Sequence, residues 1–166
     1  MNLNTMNINN LDIYTDGSLI KKNEQIKTGY GIYFPNKEYN NISGKLLVND
    51  IHYAEMFAIK QAMKIMSKDI DKYDKISFYT DSYHCIKKIN KWYDCYKNNK
   101  IEDMITKKNK DIKNKEMLLE IFKLIKNKVD KFNFIHIKSH SGKKDDYCMN
   151  NRIVDKLARL GTTINI

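Results

Sequence analysis

The order of strand-like and helix-like segments constrains the fold of this chain more than any single residue does. Three strand-like segments come first, at residues 11–16, 29–35 and 39–47. Helical patterns then begin near 52, after Ser82, at 115 and near 147, and strand-like segments at 75–80 and 132–137 separate them. Short connections favour an antiparallel meander for the first three strands, and strands joined through helices are parallel. The order predicts an α/β fold with a five-stranded mixed sheet, three strands antiparallel and then two parallel, flanked by helices.

The composition is that of one globular domain. The 166 residues are enough for one hydrophobic core, and 42% of them are hydrophobic and 30% charged. The sequence contains no apolar run of the ~18 residues that a membrane-spanning helix needs, and residues 1–10 lack the apolar core of a secretory signal. We therefore expect a short tail at 1–10, one catalytic or binding domain at 11–161, a second tail at 162–166, and no membrane partner.

The cysteines indicate the cellular compartment, and the net charge indicates the kind of partner. Cys85, Cys95 and Cys148 form no C-x-x-C pair, which argues against a disulfide framework and a zinc site. We expect an intracellular protein of a reducing compartment, cytoplasmic, nuclear or in a viral factory, and not a secreted one. The net charge of +10 favours a phosphate-rich partner, although a chain rich in Lys, Asn and Ile also follows from AT-rich coding.

Two of the predicted strands end in the same short pattern, "IYTDGS" at 13–18 and "FYTDS" at 78–82. Asp-Gly is a common turn dipeptide, so we expect Gly17-Ser18 to turn the chain. Ligands of open α/β sheets bind beyond the carboxyl ends of the strands. If the two strands are parallel neighbours, Asp16 and Asp81 lie side by side there. They are then either two turn residues or part of a metal site.

Two further acids lie on or beside the apolar faces of predicted helices. Glu55, in "HYAEMFAIKQAM", shares a face with Ile59 and Met66. A buried carboxylate is costly unless it is paired or binds a metal, although the helix dipole also favours an acid near a helix start. Asp155, in "NNRIVDKLAR", lies at the edge of the apolar stripe of the last helix, where a solvated acid paired with a basic neighbour is the simpler alternative.

Together these motifs resemble type 1 ribonuclease H. "TDGS", "AE" opening a helix, "YTDS", "H-S-G" after a strand, and "N-R-I-V-D-K-L-A-R" follow one another as in that family over roughly residues 11–161. The resemblance implies a ribonuclease H-like fold and an endonuclease that hydrolyses the RNA strand of RNA/DNA hybrids, leaving 5′-phosphate and 3′-hydroxyl ends. It places the catalytic residues of the family at Asp16, Glu55, Asp81, His140 and Asp155.

The resemblance also implies the cofactor, two Mg²⁺ ions that Mn²⁺ can replace. Two such ions supply a nucleophilic water, charge neutralisation and a stabilised leaving oxygen. We hypothesise that Asp16 bridges both ions, that Glu55 and Asp81 hold the ion near the attacking water, and that Asp155 holds the other. His140 lies in the charged loop "KSHSGKKDD", which favours a mobile proton carrier that helps to protonate the leaving group or to release product.

The partner implied by the resemblance is an RNA/DNA hybrid, bound by a monomer. The backbone near Gly17 is expected to read the 2′-hydroxyl, and the lysine-rich segment 97–115 resembles the basic protrusion of the family. Trp92 can face the DNA strand in the family and is equally suited to the core. The residues expected to contact the hybrid are Gly17, Ser18, His52, Ser82, Tyr83, Trp92, Lys97, Lys100, Lys107, Lys108, Lys110 and Asn151.

The chain departs from the family pattern at three places. Ile51 and His52 replace two asparagines before the glutamate, Tyr83 replaces a glutamine, and "LIKKNEQIKT" replaces a Gly/Pro-rich loop after "DGS". A hybrid-binding module of the same fold with weak or no activity remains an alternative, whereas the "TDGS" and H-S-G motifs disfavour a resolvase or an exonuclease. A nucleotide-binding protein is disfavoured, since the chain has neither G-x-G-x-x-G nor G-x-x-x-x-G-K-[ST].

Overall fold

The computed structural model describes residues 9–98, 114–125, 127–138 and 145–165. The strands are β1 (Asn10–Lys22), β2 (Gln25–Tyr33), β3 (Ile42–Leu46), β4 (Lys75–Thr80) and β5 (Phe132–His136). The α-helices are α1 (Ile51–Met66), α2 (Tyr83–Lys97), α3 (Lys115–Leu124) and α4 (Asp146–Gly161). Short 3₁₀ turns cover Ser67–Lys72 and Val129–Lys131. Within the described ranges, none of the helices has the length and apolar character needed to cross a membrane.

The sheet has the order β3-β2-β1-β4-β5. The first three strands pair antiparallel, whereas β1–β4 and β4–β5 pair parallel, so the predicted five-stranded mixed sheet is confirmed. Side chains of β1 alternate between two cores, because successive residues of a strand point to opposite faces. Ile13 belongs to the core that includes side chains of α1, α2 and α3, and Tyr14 belongs to a smaller core with Val154 of α4.

Strand β1 is longer than the sequence predicted. We expected it to end at Asp16 and the chain to turn at Gly17-Ser18, and both predictions are wrong. The strand continues to Lys22, and the hairpin turns at Asn23-Glu24, whose φ angles are 48° and 61°. Left-handed φ values at two consecutive residues are what a tight two-residue hairpin requires. Asp-Gly therefore lies inside a strand that stays paired with β2.

Two glycines let helices pack directly on the strands. A Cβ on Gly17 would lie 2.7 Å from the backbone N of Glu55, so the start of α1 touches β1 at this point. A Cβ on Gly31, in β2, would lie 2.7 Å from both the carbonyl O of Val154 and the backbone N of Ala158. Gly17 is therefore needed for close approach, which is how Glu55 reaches the strand that carries Asp16.

Candidate active site

Asp16 and Asp81 lie at the same edge of the sheet. The parallel pairing of β1 with β4 ends at Tyr14 and Tyr79, and each aspartate follows its strand's last paired tyrosine by two residues. β4 itself ends at Thr80, whereas β1 continues. The carboxyl end of the parallel pair therefore carries both acids, as the repeated "YTD" motif predicted.

Asp16 is the buried acid of the site. It is only 6% exposed, and its Oδ1 accepts a hydrogen bond of 2.8 Å from the N–H of Gly17. Burial, together with the negative charges of Asp81, Asp155 and Glu55, raises the pKa of Asp16 to about 8. The other three predicted carboxylates are thus close enough to Asp16 for their charges to shift its pKa.

Glu55 lies one turn inside α1 and is tied to the start of α2. Asp50 caps α1, so Glu55 does not stand in the first turn, and the helix dipole alone does not account for it. Its Oε2 accepts a hydrogen bond of 2.6 Å from the hydroxyl of Ser82 and lies 3.2 Å from Nδ1 of His52. The Ser82 oxygen also accepts a hydrogen bond from the N–H of Cys85, so Ser82 is the N-cap of α2. Ser82 therefore positions Glu55 rather than offering a free hydroxyl to a substrate.

Helix α4 supplies Asn151 and Asp155. The side-chain amide of Asn151 donates to Oδ2 of Asp81 at 3.2 Å, and its own Oδ1 is buried with no hydrogen-bond partner among the described residues. One turn later, Oδ1 of Asp155 accepts from Nε of Arg159 at 3.0 Å. The pairing that we weighed as the simpler alternative for Asp155 thus forms, while its charge still acts on Asp16.

The four carboxylates are a set of ligands that suits a divalent cation with a preference for oxygen, such as Mg²⁺. Carboxylate oxygens are the protein ligands that Mg²⁺ prefers, and a buried acid with a raised pKa gains most when a cation neutralises it. Among the described residues, however, no group of three or more His, Cys, Asp or Glu side chains is arranged so that it could hold a metal ion. The oxygens of Glu55, Asp81 and Asp155 instead accept hydrogen bonds from protein donors. The residue types therefore fit a divalent cation, while the three carboxylates as they lie are held by protein hydrogen bonds.

Exposed rings surround the acids. His52 stacks on His84, with ring centroids 4.2 Å apart, and Tyr83 is 64% exposed and meets His136 edge to face at 5.6 Å. Nε2 of His136 lies 3.2 Å from the carbonyl O of Asp81. The sequence alone assigned no functional role to His84 or His136. The signal that could have found them is their position, because each stands at or just after the carboxyl end of a parallel strand.

The structure places Trp92 and Lys97, two predicted contacts with nucleic acid, away from the acidic site. Trp92 is 3% exposed and stacks on Phe122 in the core, so its assignment to the nucleic acid contacts is corrected in favour of the core alternative. Lys97 lies at the end of α2 that is farther from the acids, with its Nζ 2.8 Å from Asp130 and over the ring of Tyr93.

Several predicted residues lie outside the described part of the chain. They are His140, Lys100, Lys107, Lys108 and Lys110. Their roles remain predictions. Gly17 and Ser18 lie on β1 beside Asp16, paired with Tyr30 and Gly29 of β2.

Known structures with the same fold include viral and environmental proteins. The prototype foamy virus protease-reverse transcriptase is 25% identical, with a TM-score of 0.74 over 94% of this chain and 21% of its own. The solution structure of the PFV RNase H domain is 25% identical, with a TM-score of 0.71 over 92% of this chain and 93% of its own. LC11-RNase H1, isolated from compost by a metagenomic approach, is 17% identical, with a TM-score of 0.64 over 93% of this chain and 96% of its own, and supports the fold alone.

The chain corresponds to one part of some of these proteins and matches a family model over nearly its whole length. The chain spans about a fifth of the foamy virus protease-reverse transcriptase. A structure of a foamy viral protease-reverse transcriptase and one of LC11-RNase H1 contain an RNA/DNA hybrid. No curated protein matches the chain by sequence. The family model described as RNase H matches residues 9–163, nearly the whole sequence, and the chain therefore belongs to the RNase H family.

Proposed function

We propose that this chain is an endonuclease that hydrolyses the RNA strand of RNA/DNA hybrids and depends on Mg²⁺ or Mn²⁺. The observation that carries the proposal is the buried carboxyl of Asp16, which feels the charges of Glu55, Asp81 and Asp155 at one edge of the sheet. Membership of the RNase H family supports the substrate class. We further propose that the products carry 5′-phosphate and 3′-hydroxyl ends.

The four carboxylates would hold the divalent cations. The chemistry that such cations supply when bound is activation of a water molecule, neutralisation of the phosphate and stabilisation of the leaving oxygen. The chain's own contribution is to place the oxygens. Ser82 orients Glu55 by a hydrogen bond, and Asn151 orients Asp81 in the same way. Supporting hydrogen bonds of this kind fix the direction in which ligating carboxylates point.

Selection of RNA would depend on the 2′-hydroxyl, the group that distinguishes RNA from DNA. We propose that the backbone at Gly17-Ser18 and the exposed ring of His52 face the ribose, because they flank Asp16 and Glu55 respectively. We propose that Tyr83, which is exposed and two residues after Asp81, also contacts the hybrid. His140 keeps its proposed role as a proton carrier.

The test is a cleavage assay with the purified chain and an RNA/DNA hybrid labelled on the RNA. We expect cleavage of the hybrid in Mg²⁺ or Mn²⁺, none in EDTA, and none of a DNA duplex. Asp81→Asn should abolish cleavage. The matched control is Asp12→Asn, because Asp12 lies on the same face of β1 as Asp16 but bonds to Tyr79 outside the acidic site. Extension of the fragments by a DNA polymerase would verify the 3′-hydroxyl.

A hybrid-binding module without activity is the second candidate. The observation that favours it is that, among the described residues, no group of three or more potential metal ligands is arranged so that it could hold an ion. Tight binding of the hybrid with no cleavage at any Mg²⁺ or Mn²⁺ concentration would select this candidate. Equal cleavage of a DNA duplex would overturn both.

A further inference from the structure

The hairpin between β1 and β2 extends beyond the rest of the sheet. The pairing of β1 with β4 ends at Tyr14, and the pairing of β2 with β3 ends at Thr28. Residues 20–27 therefore pair only with each other, and every one of them is exposed. We call residues 20–27 the ribbon. It occupies the place where "LIKKNEQIKT" departs from the family pattern.

The ribbon is basic. It carries Lys21, Lys22 and Lys27 against the single acid Glu24, and no ion pair within the described parts of the chain engages the three lysines. Ile20 is 39% exposed beside them. Three cations and an exposed apolar side chain on an unsupported ribbon match a phosphate backbone with an adjacent groove.

The ribbon carries side chains on the same face of β1 as Asp16, although the end of α4 packs on β2 at Gly29, between the ribbon and the acidic site. Side chains two apart on a strand share a face, so Ile20 and Lys22 lie on the face of Asp16. Lys27 is the cross-strand partner of Ile20, which puts it on that face too, diagonal to Lys22. At about 3.4 Å per residue, Lys22 stands roughly 20 Å along the strand from Asp16, about six base pairs of a double helix.

The charge of the site itself explains why such a surface would be needed. Asp16 and its three neighbouring acids repel a phosphate backbone until cations are bound. Affinity for the hybrid must therefore come from positive groups outside the site. Lys22 and Lys27 are positive groups that the same two strands carry away from the acids.

We propose that the ribbon is a second binding surface for the hybrid, on one side of the cut, with Lys22 and Lys27 on phosphates and Ile20 in the wide, shallow minor groove. The minor groove of an A-form helix is open enough for such contact. The inference rests on the proposed function, whose substrate it extends in length. It predicts that hybrids long enough to reach the ribbon bind more tightly than shorter ones.

The experiment compares Lys22→Gln/Lys27→Gln with a control of equal charge change, Lys64→Gln/Lys68→Gln. The two control lysines are exposed, Lys64 in the last turn of α1 and Lys68 in the 3₁₀ turn that follows it. We would measure Kd in EDTA, where the hybrid stays uncleaved, and KM in Mg²⁺. The substrates are an 18-base-pair hybrid and two shorter hybrids, each truncated at one end to about four base pairs from the cut. On the long hybrid we expect the ribbon variant to raise KM about three- to tenfold with kcat unchanged, and to reduce the slope of log Kd against log salt by about 1–2.

Three results would overturn the inference. One is a salt slope equal to that of the control variant, which would leave the lysines as solubilising groups. Another is an equal rise in KM on long hybrids and on both truncated hybrids, and the third is a change in oligomeric state with no change in Kd, which would make the ribbon a protein contact. Because Kd is measured without cleavage, an inactive wild-type protein would refute the proposed function and still test the ribbon. Thermal melts of both variants verify that each is folded.

Discussion

Removing the charge of Asp16 should stabilise the protein when no divalent cation is bound. The carboxyl is 6% exposed, and burial, together with Asp81, Asp155 and Glu55, raises its pKa from 3.8 to about 8. Asparagine has nearly the same shape and keeps an oxygen for the N–H of Gly17, so Asp16→Asn removes the charge and little else.

The magnitude follows from the difference in pKa between the folded and unfolded states. Because the folded pKa lies above the unfolded one, the stability that protonated Asp16 contributes is fully present below about pH 4 and is lost as pH rises to about 8. At pH 7 the carboxyl is ionised in the unfolded state, because the pH is roughly three units above its unfolded pKa. Keeping it protonated in the folded state at this pH costs about 4 kcal/mol of stability. Asparagine avoids this cost. Since water and side chains relax around a buried charge, we expect a gain of about 2–4 kcal/mol at pH 7 and none at pH 3.5.

The assay is urea unfolding followed by circular dichroism, in EDTA, from pH 3.5 to 9. Asp155→Asn is the comparison, because its carboxylate is 33% exposed and paired with Arg159, so the gain should be smaller and limited to the relief of its repulsion with Asp16. Mg²⁺ should then stabilise the wild type more than Asp16→Asn. If Asp16→Asn is no more stable than the wild type at pH 8 in EDTA, the reasoning from the buried acid is refuted.

Three further substitutions test the packing around the site. Ser82→Ala should lower kcat on a hybrid, since Glu55 loses its donor, and should cost about 1 kcal/mol in urea unfolding through the lost N-cap, whereas Ser82→Thr should largely restore both. Gly31→Ala should cost about 3 kcal/mol or prevent folding, because the new Cβ meets the backbone of α4, and an unchanged melting temperature would contradict this contact. Trp92→Ala should cost about 3–5 kcal/mol with KM for a hybrid unchanged, and a raised KM at normal stability would return Trp92 to the surface.

The strand and helix patterns of the sequence predicted most of the fold because they report which face of each element is buried. The parallel pairing of β1 with β4 followed from their helical connection, and with it the shared edge for Asp16 and Asp81. The apolar stripe of α1 likewise predicted that Glu55 faces inward. These inferences held because periodicity and connection order are properties of the chain itself.

The length of β1 could not be predicted in this way. Asp16-Gly17 has strong local turn propensity, but the position is decided by α1, whose backbone approaches so closely that a Cβ would lie 2.7 Å away. Trp92 was ambiguous for a similar reason, since a residue on an apolar stripe can face either the core or a ligand. Phe122 of α3, which covers it, comes from another part of the chain.

The sequence by itself determined the elements, their order and the four acids that a metal-dependent nuclease would need. Only the tertiary structure decided how those acids are held. Ser82 reaches Glu55 across 27 residues of sequence, and Asn151 reaches Asp81 across 70. Such contacts depend on how helices pack on the sheet, and periodicity specifies a face but not the partner on it. The raised pKa of Asp16 has the same origin, because burial and three neighbouring charges exist only once the chain has folded.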